Sequence, residues 1–206
     1  MTKIRRDQVV SAALELLDEL GLDALSTRRL AQRLGVKSAS LYWHFRDKST
    51  LLAEMAATVL AAHPPLGVPA DTAQWSTWFV DYARHFRRTL LAHRDGARLH
   101  AGTPVSHDDL ARNRPNIAYL VGAGLTRSEA GMALFAARQF TIGCVLEEQA
   151  QRDRKSGAFP ARPSDTPQRA DSGRASGRVD PEAAFEFGLA LMVEGLHRRV
   201  AFHARR

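Results

Sequence analysis

The sequence predicts an all-α fold, a small N-terminal helical head followed by a larger helical body, with about nine or ten helices in all. Three observations carry this. Apolar residues recur at helical spacing through most of the chain, no period-two alternation is long enough for a sheet, and no internal repeat is visible. The 206 residues are 45% hydrophobic and 25% charged, which suits a globular chain and excludes wholesale disorder.

Val9, Ala13, Leu16, Leu17 and Leu20 form one face of a first helix, and Gly21 is placed to end it. Ser26 or Thr27 can cap a second, short helix carrying Leu30, Ala31 and Leu34. Gly35 closes that helix, and Val36 follows as the buried residue of a tight turn. Ser38 can cap a third helix, Ala39 to His44. Asp47 can cap a fourth, with Leu51, Leu52, Met55, Val59 and Leu60 on its apolar side. The Pro-containing stretch His63 to Asp71 reads as a connector. Helical patterning resumes with Trp75, Phe79, Tyr82 and Phe86, and one or two further helices fill Arg84 to Arg98 with a break near Gly96. Gly102-Thr103-Pro104 must end a helix. Pro115 to Gly122 fits a helix with its proline near the first turn, Arg127 to Gln151 a long one, and Pro181 opens the last, through Val200. The expected organisation is a head over 1–47, a linking helix over 48–62, and a body over 63–206 with a flexible loop at about 151–180.

The formal net charge of +7 is unevenly distributed. Residues 1–50 carry nine basic side chains against six acidic ones, a net of +3, and residues 151–178 carry seven against three, a net of +4. The later stretch is rich in Pro, Gly and Ser, so its charge reads as that of a solvated loop, with weak DNA attraction as the alternative. The N-terminal excess coincides with two short helices joined by a glycine turn, the helix-turn-helix pattern. The third helix and its flanks present Lys37, Ser38, Ser40, Tyr42, Trp43 and His44. That density of hydrogen-bonding tips suits base edges and phosphates better than a plain helical corner, which stays open as the alternative.

Other function classes find little support. No HExxH, GxSxG, P-loop or GxGxxG motif is present, so an enzyme is the weaker reading. The lone Cys144 sits among apolar neighbours and reads as core, and it excludes an intrachain disulfide framework. His93, His100 and His107 recur every seven residues, but Pro104 breaks the helix that would align them. His85 and His197 read as surface or boundary residues. Uncharged runs such as Ala56 to Ala70 are interrupted by Pro and His, and the first residues do not form a signal peptide, so a reducing cytoplasm is the expected location. Small residues in the two late helices (Gly131, Gly143, Gly188 and Gly195 among them) suit either internal packing or a four-helix contact between two subunits.

The run Thr27-Arg28-Arg29-Leu30-Ala31-Gln32-Arg33-Leu34-Gly35-Val36, then Leu41-Tyr42-Trp43-His44-Phe45 and Lys48, resembles the DNA-binding head of TetR-family repressors. Phe86-Arg87-Arg88, His93 to Thr103, and Phe140 to Glu147 are similar to the tetracycline-repressor branch of that family. The resemblance implies a homodimeric, ligand-responsive repressor that places its third helix in the major groove of palindromic double-stranded operator DNA, with half-sites roughly 34–36 Å apart. An activator of the same fold is the alternative. By this resemblance Arg28 reads guanine, Thr27, Tyr42, His44 and Lys48 contact phosphates, and Trp43 packs near the backbone. Lys37, Ser38, Ala39 and Ser40 depart from the branch's Glu, Gln, Pro and Thr, so the operator sequence should differ.

The same resemblance maps a ligand site onto Pro64, Tyr82, Phe86, His100, Thr103, Pro104, Asn116, Gln139 and Glu147. His100 and Glu147, with Thr103 through water, match positions that hold the magnesium of a drug chelate. Pro64, Tyr82, Pro104, Asn116 and Gln139 replace the branch's His, Asn, Arg, Gln and His, so most of the polar clamp on the drug is missing. Tetracycline itself is therefore not the expected effector. The expectation is another flat, partly apolar small molecule, either a metal-chelating aromatic or one bound without metal, with no cofactor required and magnesium relevant only to a chelating effector. The segment His93 to Thr103 is expected to couple ligand to head, with Gly96, Gly102 and Pro104 easing its rearrangement.

Overall fold

The computed structural model describes residues 4–63, 66–103, 107–155 and 179–205. Among them are nine α-helices and no strand. The head comprises α1 (Arg6–Leu20), α2 (Thr27–Arg33), α3 (Ser38–Leu41) and the head-side half of α4 (Lys48–Ala62). Val9, Ala13, Leu16 and Leu17 of α1 are buried as the periodicity requires, and Gly21 ends the helix with φ 79° and its N–H on the Leu17 carbonyl. Leu20 departs from expectation: it is exposed, and Val10 and Ala12 are buried instead. Ser26 caps α2 by accepting the Arg29 N–H, and Asp47 caps α4 by accepting the Thr50 N–H at 2.7 Å.

α3 is shorter than its expected span. It starts at Ser38, with Lys37 rather than Ser38 in the cap position, and Tyr42 to His44 continue as a turn. The Phe45 N–H closes that turn on the Leu41 carbonyl. Arg6 holds the turn from outside, donating to the His44 carbonyl at 2.7 Å, stacking its guanidinium over the Phe45 ring at 4.6 Å, and pairing with Glu54 of α4.

The body contains α5 (Trp75–Leu91), α6 (Gly96–Ala101), α7 (His107–Gly122), α8 (Arg127–Lys155) and α9 (Pro181–His203). A 3-10 turn, Thr72–Gln74, leads into α5, and Asp180 caps α9 ahead of Pro181. Two helices run beyond expectation. α7 begins at His107, so Pro115 lies in its interior rather than in the first turn, and α8 continues to Lys155, into the stretch read as loop. Residues 156–178, the rest of that loop, lie outside the described residues.

Two cores result. One gathers Val9, Leu16, Leu30, Leu41, Phe45, Leu51 and Met55, and it includes Leu99 of α6. The larger body core is built on Trp75, Trp78, Phe79, Leu120, Leu134 and Ala137, with Phe86, Leu90, Ala97 and Val145 in a cluster beside it. α4 and α6 join them: Leu51 and Met55 face the head while Leu60 packs on the Phe86 cluster, and Leu99 faces the head while Ala97 joins that same cluster. The corner between α5 and α6 is clamped by Gln149 of α8, whose amide donates to the Leu90 and His93 carbonyls and accepts the Ala97 N–H.

The small residues of α8 and α9 divide between the two readings. A Cβ on Gly188 would lie 2.3 Å from the Phe140 ring, so that glycine serves packing within the chain. Gly131, Gly143 and Gly195 meet no described atom within 4 Å, and Met132, Phe135, Phe187 and Leu191 on the same two helices are exposed.

Candidate nucleic-acid interface and ligand cavity

The basic residues of the head fall into two groups. Arg5, Arg6 and Arg33 are ion-paired with Asp7, with Glu54, and with Glu15 and Glu19, respectively. The Arg6 guanidinium holds the Glu54 carboxyl below its ordinary range. Arg28, Lys37, Arg46 and Lys48 surround the α2–α3 corner, are exposed, and have no carboxylate within ion-pair distance among the described residues. Positive charge is thus neutralised at Arg5, Arg6 and Arg33 and left available around the α2–α3 corner, the arrangement a phosphate backbone attracts. Tyr42 and Trp43 project from the same corner, and Trp43 is 89% exposed. Ala39 is exposed, whereas Thr27, Ser38, Ser40 and His44 are half-buried at its edge. An indole that exposed, next to unpaired cations, has no role in the core.

The body holds a partly open, concave cavity walled by residues of α4, α5, α7 and α8, the kind of place small molecules occupy. Its described lining includes Tyr82, Phe86, Asn116, His63, His85 and Arg138. Of the expected ligand residues, Tyr82, Phe86 and Asn116 are therefore on the wall. His100 reaches it through an edge-on contact with Phe86, centroids 5.2 Å apart, and a 3.0 Å contact from Arg138 to its Nε2. Thr103 sits behind, donating its hydroxyl to the His100 carbonyl at 2.8 Å. Gln139 and Glu147 are exposed and do not line the described wall. Pro64 and Pro104 lie outside the described residues.

The wall also contains residues the sequence reading passed over. Arg138 lies on the inward stripe of α8 with Leu134, Ala137, Thr141 and Val145, all buried. A lone cation on an apolar stripe is the signal that could have revealed it. Its guanidinium stacks over the Phe86 ring at 4.8 Å and acts electrostatically on the Tyr82 hydroxyl. Burial pushes the Tyr82 hydroxyl above its ordinary value, and Arg138 opposes that shift. His85 is a boundary residue, half-buried: it lines the cavity, and its Nε2 is buried without a hydrogen-bond partner among the described residues. It falls one helical turn from Tyr82 on the same face of α5.

Other histidines are spoken for. His93 bonds the Asp18 carboxylate at 2.9 Å, and the His107 side chain lies outside the described residues. His197 is exposed and packs on Trp75 with the rings tilted at 57°. Among the described residues, no group of three or more His, Cys, Asp or Glu side chains could hold a metal ion. Cys144 is half-buried, and burial pushes its thiol up, away from nucleophilic character.

α6 connects head and cavity. Asp23 of the head pairs with Arg98, whose guanidinium holds that carboxyl below its usual range, and Asp18 accepts from the Arg94 backbone N–H. Leu99 enters the head core, and the next residue, His100, touches Phe86 and Arg138.

Comparison with known proteins agrees with this anatomy. The family model described as "Bacterial regulatory proteins, tetR family" matches residues 9–55, and "Tetracyclin repressor-like, C-terminal domain" matches residues 68–200. The chain is 42% identical over 202 residues to the tetracycline repressor protein class A from transposon 1721 of Escherichia coli, covering 97% of this chain and 93% of that one. A crystal structure of TetR(class A) with 5a,6-anhydrotetracycline and magnesium superposes with a TM-score of 0.74 at 39% identity, covering 95% of this chain and 99% of that one. A TetR-family transcriptional regulator from Streptomyces coelicolor is 46% identical with a TM-score of 0.66, over 95% and 99% of the two chains. With a matched head, a matched body and relatives that span both, the chain belongs to the tetR family of bacterial regulatory proteins and is a regulator, not an enzyme.

Proposed function

We propose that the chain is a transcriptional repressor that binds a palindromic operator as a homodimer and is released by a small aromatic molecule held in the body cavity. The observation that carries this is the placement of α6, with Leu99 in the head core and His100 against the cavity wall. A ligand that prefers one position of α6 acts on the head through a packed element rather than through a loose loop. Moving occupancy from 99:1 to 1:99 requires about 5.5 kcal/mol of differential binding. The head is assigned to residues 1–47, the linking helix to 48–62, and ligand binding and dimerisation to the remainder.

In this reading Arg28 reads base edges with Lys37, Ser38, Ala39 and Ser40, while Thr27, Tyr42, His44 and Lys48 engage phosphates and Trp43 packs on the backbone. The exposed apolar side chains of α8 and α9, with Phe135 64% and Phe187 67% exposed, form the face through which two subunits pair. No helix of the described residues is long and apolar enough to cross a membrane, and the cytoplasm is the proposed location.

The residues of one subunit do not fit a divalent cation. The Nε2 of His100 accepts from a guanidinium, and a cation in that position would face Arg138. Glu147 stands nine residues beyond Arg138 on α8, about 13 Å along the helix axis. No step of the release mechanism is therefore routed through a metal.

The test is a footprint with the purified chain on the DNA upstream of its own coding region, followed by release with a library of aromatic compounds. A protected palindrome that Arg28→Ala fails to protect, and that some compound frees, is the expected result. A chain that protects no DNA, or protection that no aromatic compound relieves, overturns the proposal. A promoter–reporter fusion whose output rises on deletion of the regulator distinguishes repression from activation.

A further inference from the structure

The cavity wall has an electrostatic character of its own. Arg138 is half-buried beside Phe86, Tyr82 and His100, and no carboxylate among the described residues pairs with it. A guanidinium has more donors than these contacts use, and it suits planar oxyanions that accept two parallel bonds. The described lining of the cavity contains no acidic side chain at all: its polar members are His63, Tyr82, His85, Thr89, Asn113, Asn116 and Arg138. His85 adds a buried imidazole nitrogen without a partner on the same wall. Phe86 and Leu60 offer apolar surface to a flat ring alongside.

From this we infer that the cavity takes an aromatic oxyanion, a planar ring system bearing a carboxylate or an ionised enol or phenol, whose negative charge pairs with Arg138. The guanidinium supplies the positive charge at the point where His100 would otherwise have to hold a divalent ion. This inference rests on the small-molecule reading of the cavity but says more, fixing the sign of the ligand's charge and removing any need for metal. The ring stacks along Phe86, the anion faces Arg138 and Tyr82, and an accepting or donating edge of the ligand satisfies His85 Nε2. Arg138 then shares its donors between His100 and the ligand, so binding bears on the contact that α6 makes with the wall.

The experiment is calorimetric titration of the full chain with salicylate, 3-hydroxy-2-naphthoate and anthraquinone-2-carboxylate, each beside its methyl ester, in EDTA and again in magnesium. The expected result is that at least one acid binds in EDTA at least about tenfold more tightly than its ester, without gain from magnesium. Arg138→Gln should erase that preference, and Arg138→Lys, which keeps the charge but not the fork, should retain part of it. Melting curves of the ligand-free variants establish that they fold. The inference is overturned if no acid binds better than its ester, if binding appears only with magnesium, or if a folded Arg138→Gln keeps the preference. Tight binding of a neutral ester that frees the operator would sink the anion assignment alone and leave the ligand-responsive repressor standing.

Discussion

The Asp95 carboxylate accepts the backbone N–H of Leu22 at 2.7 Å, joining the residue that precedes α6 to the turn that follows α1. Asp95 is only 5% exposed and holds φ 55°, a left-handed conformation that aspartate tolerates better than most residues. Its other oxygen lies 3.3 Å from Arg98, which also reaches Asp23. Head and body thus share a polar seam, and four further consequences can be measured along with those of the seam itself.

Asp95→Ala leaves the Leu22 N–H without its acceptor and places alanine at positive φ. It should lower stability by about 1–3 kcal/mol in urea denaturation, with Asp95→Asn closer to the parent because asparagine keeps both an acceptor and tolerance of that backbone. An unchanged urea midpoint for the alanine variant would show that water replaces the seam at no cost.

Gly96 and Gly102 bracket α6, yet they answer to different constraints. A Cβ at Gly96 would lie 2.2 Å from the Leu90 carbonyl oxygen, a backbone atom that cannot swing away. At Gly102 the nearest atom is 3.2 Å off and φ is −80°, open to any residue. Gly96→Ala should therefore destabilise by about 1–3 kcal/mol, and Gly102→Ala should stay within about 1 kcal/mol of the parent. Equal effects in thermal melts would contradict the close approach of α5 to α6. Effector titration of the folded Gly102→Ala variant also shows whether the end of α6 must unwind for release.

Glu129 begins α8 in a reciprocal cap, accepting the Thr126 N–H at 3.0 Å while its own N–H bonds the Thr126 hydroxyl. The Thr126 N–H and the Thr126 hydroxyl, which donates to the same carboxylate at 2.7 Å, pull that carboxyl down to about 2, with His203 at 2.8 Å adding to them. A depressed acid stabilises the fold fully above its ordinary value and loses that contribution as pH falls through the folded value. Denaturation midpoints should therefore decline from about 4.5 toward 2, and Glu129→Gln should flatten the decline by removing this carboxyl from the titration. A variant with the parent's full acid slope would place the sensitivity elsewhere.

Lys37 and Lys48 are unpaired, whereas Arg33 is held by Glu15 and Glu19. Removing Lys48, which engages phosphate, should reduce the slope of log affinity against log salt on operator DNA by about 1. Arg33→Ala should leave the slope nearly unchanged, and anisotropy titrations over a salt series read the difference directly.

What could be read in the sequence was local. Asp47 and Gly21 mark helix ends through contacts within a few residues, and each does so in the structure. α3 was read too long because Arg6, far away in the chain, holds the Tyr42 to Phe45 turn outside the helix. Pro115 was read as a helix start because proline's missing N–H usually argues for one, yet α7 carries it inside. The role of Asp95 depends on Leu22, 73 residues earlier, and no local pattern records that pairing. Tyr82, Phe86 and Asn116, which the resemblance points to, line the cavity, while the unsatisfied charge and hydrogen bonding of Arg138 and His85 emerge only once the wall is assembled.

Of the three tryptophans, Trp75 and Trp78 are sealed in the body at 5% and 3% exposure, and Trp43 alone stands in solvent. A collisional quencher such as iodide should reach one fluorophore and spare the other two. The free chain then carries its own optical gauge of duplex engagement, since covering Trp43 with DNA should protect its emission without any attached dye.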